Sequence, residues 1–363
     1  MNLSPKQYLR SFNLPRRNQV TRSRLISLLC AAFVFSLLFA GTFALARAEK
    51  YNCTLKWGNY GIGDGQFDHP YDVTIDDSGN VYVADTYNHR VQKFTGAGTF
   101  LGAWGSYGTG NGQFNYSMGV AVDAAGNVYI ADAGNHRIQK FSSKGGFLQT
   151  WGSYGVGDGQ FKYPYDVTVD YEGNVYVADA GNHRIQKFTS AGTFLGAWGS
   201  YGTANAQFKY PHGMAVDNVG NIYVADYYNH RVQKFTVNGD YITQWGTYGA
   251  EDGQFKNPKG VAVDGAGNVY AADYYNNRVQ KFTSTGEFIS SWGSQGSGDG
   301  QFSTPKGVAV DAAGSIYIAD TGNHRIQKFQ VEPASPLTLP TTGTLLVTCV
   351  NAMALALLVI KKR

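Results

Sequence analysis

The chain has 363 residues, 43% of them hydrophobic and 15% charged, with 46 glycines, 25 tyrosines and 21 phenylalanines. That balance excludes a disordered polyelectrolyte and points to an aromatic, turn-rich chain built mainly of strands. The net charge of +4 comes from the ends: ten of the 30 basic residues lie in 1–48 and 361–363, so 20 remain against all 26 acidic residues and the middle carries about −6, which gives no electrostatic case for nucleic acid.

Residues 1–48 combine a basic leader, the apolar run from Leu25 to Ala46, and Ala46-Arg47-Ala48. This reads as an export signal cut after Ala48, or as an N-terminal membrane anchor, because 22 residues at ~1.5 Å each reach roughly 33 Å. Either reading places the rest on the extracellular face, membrane-tethered or cell-wall anchored. Of the three cysteines, Cys30 and Cys349 fall in the apolar ends, so Cys53 has no partner in the middle and the fold must be held by packing and strand pairing.

From residue 51 a strict repeat begins. Trp57, Trp104, Trp151, Trp198, Trp245 and Trp292 stand 47 residues apart, and Asp85, Asp132, Asp179, Asp226, Asp273 and Asp320 keep the same interval. Within one copy, Pro164 to Asp170, Val175 to Asp179, His183 to Phe188 and Thr193 to Gly199 are short β-branched or aromatic runs bounded by Gly, Asn or Asp. Four such runs per copy make one propeller blade. The expected fold is all-β, a six-bladed propeller of four-stranded antiparallel blades over residues 51–331, flanked by apolar end segments. The first strand, Asn52 to Trp57, has the phase of a fourth strand, and the last copy stops after its third. The N-terminal strand should therefore complete the last blade and remove its open edge. The Asn-His-Arg triplets at 88–90, 135–137, 182–184, 229–231 and 323–325 make the chain resemble the NHL repeat family, with Asn277 departing in the fifth copy. The resemblance implies a six-bladed propeller that serves as an interaction module.

A short linker, 332–338, leads to residues 339–363. Leu339-Pro340-Thr341-Thr342-Gly343, an apolar stretch to Ile360 and Lys361-Lys362-Arg363 resemble the sorting signal of proteins attached to the cell wall by sortase. That resemblance implies cleavage after Thr342 and a sortase-type transpeptidase as partner; an ordinary membrane span is the alternative.

Residues repeated once per blade are read as scaffold: buried Asp accepting from backbone and Arg as blade-to-blade struts, with His satisfied within the same network. Specificity should lie where copies differ. On the face shared by first-strand starts and second-strand ends, the candidate ligand-binding residues are Tyr71, Tyr87, Tyr165, Tyr227, Tyr228, Tyr274, Tyr275, Lys259 and Lys306. Tyrosine offers an apolar ring and a hydroxyl, which suits a protein or glycan ligand. His69 and His212 also break the repeat, but two histidines fall short of the three ligands that zinc catalysis generally needs. No catalytic residue, metal or cofactor is expected. The chain is expected to be a cell-surface binding module and not an enzyme, with two alternatives: a metal-dependent lyase or lactonase-like propeller enzyme, or a structural surface component without soluble ligand.

Overall fold

The computed structural model describes residues 49–332, all strands, turns and short 3-10 segments. The expected membrane tether is corrected here. No helix among the described residues is long and apolar enough to cross a membrane, so a transmembrane helix, the membrane as partner and a membrane-tethered location are not carried forward. The segments 1–48 and 339–363, including the sorting motif Leu339 to Gly343, lie outside the described residues.

Six four-stranded antiparallel sheets follow one another along the chain. In the third, the strands are Pro164–Val169, Val175–Asp179, Arg184–Phe188 and Phe194–Trp198, within one or two residues of the expected limits. The third strand starts one residue late because His183 takes a left-handed conformation, with φ 58°, in the turn before it. Asp and Gly close the tight first turn. Asp170 Oδ1 accepts the N–H of Glu172 and Asn174, and Gly173 takes φ 83°, a conformation that favours glycine.

The apolar cores lie between blades. Tyr82, Ala84 and Val91 of blade 1 pack with Phe114, Val120, Val128, Ile130 and Phe141, which belong to blade 2 and the loop leading into it. Trp104, on the outer strand of blade 1, meets Tyr82 edge-on at 6.3 Å and Phe141 of blade 2 at 6.1 Å. The tryptophan interval is therefore the interval of the blade interface.

The aspartate column works differently from the expected strut. Fully buried Asp85 accepts from Arg90 Nε at 2.7 Å, Gln92 Nε2 at 3.0 Å and the backbone N–H of Asp68 at 2.8 Å. It ties its own blade to the loop leading into that blade. The histidines bridge blades: His89 Nδ1 accepts the Tyr116 N–H of the next blade at 3.1 Å, and the junctions after His136, His183, His230 and His324 repeat the bond. Burial lowers the pKa of these rings, which favours the neutral form an acceptor nitrogen requires. Asn277 substitutes its side-chain oxygen, taking the Thr304 N–H at 2.8 Å, in the same left-handed conformation that Asn tolerates.

Ring closure is as expected. Tyr51–Trp57 pairs antiparallel with Arg325–Val331 and completes the sixth sheet.

Candidate functional site

Every first strand is entered at the same end of the ring, and one position at each entry breaks the repeat: Tyr71 and Tyr165, Met118, His212, and Lys259 and Lys306. Regular pairing with the second strand breaks there, between Pro70 and Asp72, Ser117 and Val120, Pro164 and Asp166, Pro211 and Met214, and Pro258 and Val261. Such irregularities re-aim side chains. Here Tyr71, Lys259 and Lys306, from blades 1, 5 and 6, line one void of about 10 Å³ with Asp72, Asp166 and Gly213, room for about one water. Beyond it, residues from all six first strands line a channel cavity of about 180 Å³. The axial residues therefore plug one end of the channel.

Within the plug, Tyr71 Oη and His212 Nδ1 are 2.7 Å apart. The His212 ring stacks on Tyr227 at 4.3 Å and tilts against Tyr165 at 4.6 Å. Lys259 Nζ lies 4.3 Å from the Tyr274 ring and 5.2 Å from those of Tyr71 and Tyr227; Lys306 Nζ lies 4.7 Å above Tyr71. These contacts favour a cation. Among the described residues, however, neither amine forms an ion pair with a carboxylate. Burial pushes Lys306 down to about 8; burial, and then Lys306, hold Lys259 well below the usual lysine range. Burial, followed by the two lysines, keeps His212 neutral.

One residue further along, blades 1 and 3 carry Asp72 and Asp166, and the other four carry Gly119, Gly213, Gly260 and Gly307. Asp72 Oδ2 accepts the Val120 N–H at 3.0 Å and Asp166 Oδ2 the Met214 N–H at 2.6 Å, each in the next blade. A Cβ at Gly119 would stand 2.3 Å from Asp166 Oδ1, and one at Gly213 2.3 Å from the Lys259 carbonyl. Burial raises the pKa of both carboxyls, and Asp72 raises Asp166 further. These two aspartates and Met118 escaped the sequence reading. Two aspartates in an otherwise glycine column beside the variable position were their signal.

The candidate tyrosines divide into two groups. Tyr71, Tyr165, Tyr227 and Tyr274 belong to the plug, and Tyr227 is only 7% exposed. Tyr87, Tyr228 and Tyr275 stand outside it, 48%, 53% and 49% exposed. The division follows from the turn after each second strand. Its first residue packs inward, as Thr86 and Thr321 do when they donate to the carbonyls of Ser117 and Pro70, while its second points outward. The two metal candidates separate as well. His212 sits in the plug and joins no cluster of three potential ligands among the described residues, whereas His69 stands beside Asp68 and His324.

Six matches to the NHL repeat cover residues 67–94, 114–141, 161–188, 208–235, 255–282 and 302–329, one for each blade. The chain is an NHL-repeat six-bladed propeller. Among curated relatives, the B-box type zinc finger protein ncl-1 of Caenorhabditis elegans is 38% identical over 68 residues, 18% of this chain and 8% of that protein. The Drosophila melanogaster protein brain tumor is 42% identical over 50 residues, 14% of this chain and 5% of its own length. The NHL chain thus matches less than a tenth of either relative. Among solved structures, a streptogramin B lyase superposes with a TM-score of 0.53 at 15% identity, over 78% of this chain and 98% of the lyase. A Xanthomonas campestris gluconolactonase does so at 0.59 and 16%, over 80% and 93%. A Staphylococcus aureus virginiamycin B lyase gives 0.51 and 15%, over 78% and 100%. At such identities the likeness is one of fold. It corrects the expectation of a non-enzyme, because lyases and a lactonase are built on the same ring and the propeller supplies no ground for excluding catalysis.

Proposed function

We propose that this NHL propeller is an enzyme of the lactonase- or lyase-like kind, with its reaction centre in the axial plug and its exposed tyrosines as the substrate grip. The observation that carries this reading is the meeting, at one constriction, of a Tyr71–His212 pair and two lysines that form no ion pair among the described residues. Lactone opening and β-elimination share one requirement: a base takes a proton, from water or from a carbon beside a carbonyl, while the carbonyl oxygen gains negative charge. Lys259, whose amine is biased toward the neutral form, suits the base. The Lys306 ammonium and the Tyr71 hydroxyl suit the developing oxyanion. In lactone opening the water oxygen bonds to the carbonyl carbon, the ring C–O bond breaks, and the proton held by Lys259 passes to the leaving alkoxide. Perturbed groups converging in a channel mouth support a reaction centre, while the fold by itself names no substrate.

The solvent-exposed rings of Tyr87, Tyr228 and Tyr275 favour a further role for this end of the ring, holding a glycan or protein that carries the reacting group.

The test is a panel of γ- and δ-lactones followed by proton release, and of esters able to eliminate followed by the absorbance of the unsaturated product. Wild-type protein should turn over at least one compound, and Lys259→Met and His212→Gln should each lower kcat/KM by about 10²-fold or more. No turnover of any compound, or full activity in Lys259→Met, would sink the proposal.

A further inference from the structure

Five of the six blade junctions show what the histidine bridge needs. His89, His136, His183, His230 and Asn277 take the backbone N–H of Tyr116, Tyr163, Tyr210, Asn257 and Thr304 at 2.8 to 3.2 Å. These five positions carry tyrosine three times, then Asn257 and Thr304, the bridge uses only their backbone N–H, and the residues before them are Asn115, Lys162, Lys209, Lys256 and Ser303. The bridge is therefore a backbone matter. At the sixth junction it is present too, from His69 N–H to His324 Nδ1 at 3.2 Å, but the residues that supply it are Asp68 and His69. The His69 ring packs on His324 as Tyr116, Tyr163 and Tyr210 pack on their histidines, but at this junction the pair also brings a carboxylate and a second imidazole.

The carboxylate and the two imidazoles converge. His69 Nδ1 lies 2.6 Å from Asp68 Oδ1, His324 Nδ1 lies 3.8 Å from the same oxygen, and the two imidazole rings are 4.6 Å apart. One donor atom from each residue fits within 4.8 Å of the others, the only such trio among the described residues. All three side chains keep partial access to solvent, at 40%, 23% and 19%.

We propose that Asp68, His69 and His324 form a site for a divalent transition metal of the zinc class that clips the two ends of the ring together. Two imidazole nitrogens and one carboxylate oxygen match zinc, cobalt or nickel; calcium wants six or more oxygens and magnesium a near-ideal octahedron. Ligand atoms held ~2.0–2.1 Å from one zinc ion stand roughly 3.3 Å apart, so the 3.8 Å separation closes slightly and the 2.6 Å contact opens. The metal replaces two hydrogen bonds. His69 carries its proton on Nε2 when Nδ1 ligates, and the His69 N–H gives up His324 Nδ1; binding weakens at low pH because a protonated imidazole cannot ligate. Water completes the coordination.

The position gives the site its effect. Asp68 and His69 follow closely on the closing strand Tyr51–Trp57, and His324 directly precedes the strand Arg325–Val331 with which it pairs. A metal bridging residues 255 positions apart would fasten the ring across its one non-covalent closure. This inference stands apart from the axial plug.

The experiment uses the full chain, freed of metal, with Zn2+ followed by equilibrium dialysis and thermal unfolding, and Co2+ as a spectroscopic probe. His69→Tyr installs the side chain that blades 2 to 4 carry at this position, so folding should be kept; Asp68→Asn is the second variant. Wild-type protein should bind one equivalent with a rise in thermal midpoint and a tetrahedral Co2+ spectrum. Both variants should bind at least about tenfold more weakly and lose the rise. His212→Gln should bind as wild type. Absence of stoichiometric binding, equal binding by His69→Tyr, or loss of binding in His212→Gln would each overturn the site.

Discussion

Lys306→Met should make the protein more stable at pH 7 while removing the proposed activity. The Lys306 amine is half-buried, stands 4.7 Å above the Tyr71 ring and forms no ion pair among the described residues. A fall from 10.5 to about 8 corresponds to roughly 3 kcal/mol at 1.36 kcal/mol per pH unit. Partial hydration of the amine reduces that figure, so a gain of about 1–3 kcal/mol is expected, several degrees in thermal midpoint. The pH dependence fixes the sign. The folded pKa is below the unfolded one, so between about 8 and 10.5 the unfolded chain binds more protons and wild-type stability rises with pH. The advantage of Lys306→Met is therefore full below pH 8 and shrinks to nothing by about pH 10.5. A variant no more stable at pH 7, or one whose advantage grows with pH, would show that the ammonium is not confined as described. Groups held at a cost to stability mark functional sites.

Removal of residues 51–58 should open the ring. The closing strand buries Tyr51, stacks it on Trp292 at 3.8 Å, and sets Trp57 against Phe94 at 5.7 Å. Lys281 Nζ also meets Glu49 at 2.8 Å beside it. Each large apolar side chain taken from water contributes about 1.5–3 kcal/mol, so Tyr51 and Trp57 together contribute up to about 6 kcal/mol, a large share of the roughly 5–15 kcal/mol of a whole domain. Loss of near-ultraviolet circular dichroism, a lower and broader transition, and self-association through the bared edge of Arg325–Val331 are expected. Unchanged cooperative unfolding of a monomer would contradict the closure.

The ring was legible because its signals are local and repeated six times. The tryptophan interval, the Asp-x-x-Gly-Asn turns and the phase of Asn52 to Trp57 each report short-range geometry. Part of the candidate site's membership was legible too, since Tyr71, Tyr165, His212, Lys259 and Lys306 occupy one register position at which the repeat is not kept. Two things were not. Whether a tyrosine packs inward or stands in water depends on its place in a three-residue turn, which separates Tyr227 from Tyr228. The meeting of His69 with His324 depends on the ring closing across 255 positions, and no spacing encodes it. His324 was set aside because it recurs, and only its neighbour Asp68-His69 makes it unlike the other copies.

The reading of the axial plug as a reaction centre needs two amines that burial holds below the ordinary lysine range. The direct measurement is a pH titration of lysine side-chain 13Cε resonances in the full chain, with Lys306→Met and Lys259→Met identifying the two signals. One resonance should titrate near pH 8 and another well below the ordinary lysine value. Titration of both near 10.4, where an unperturbed lysine loses its proton, would contradict the account.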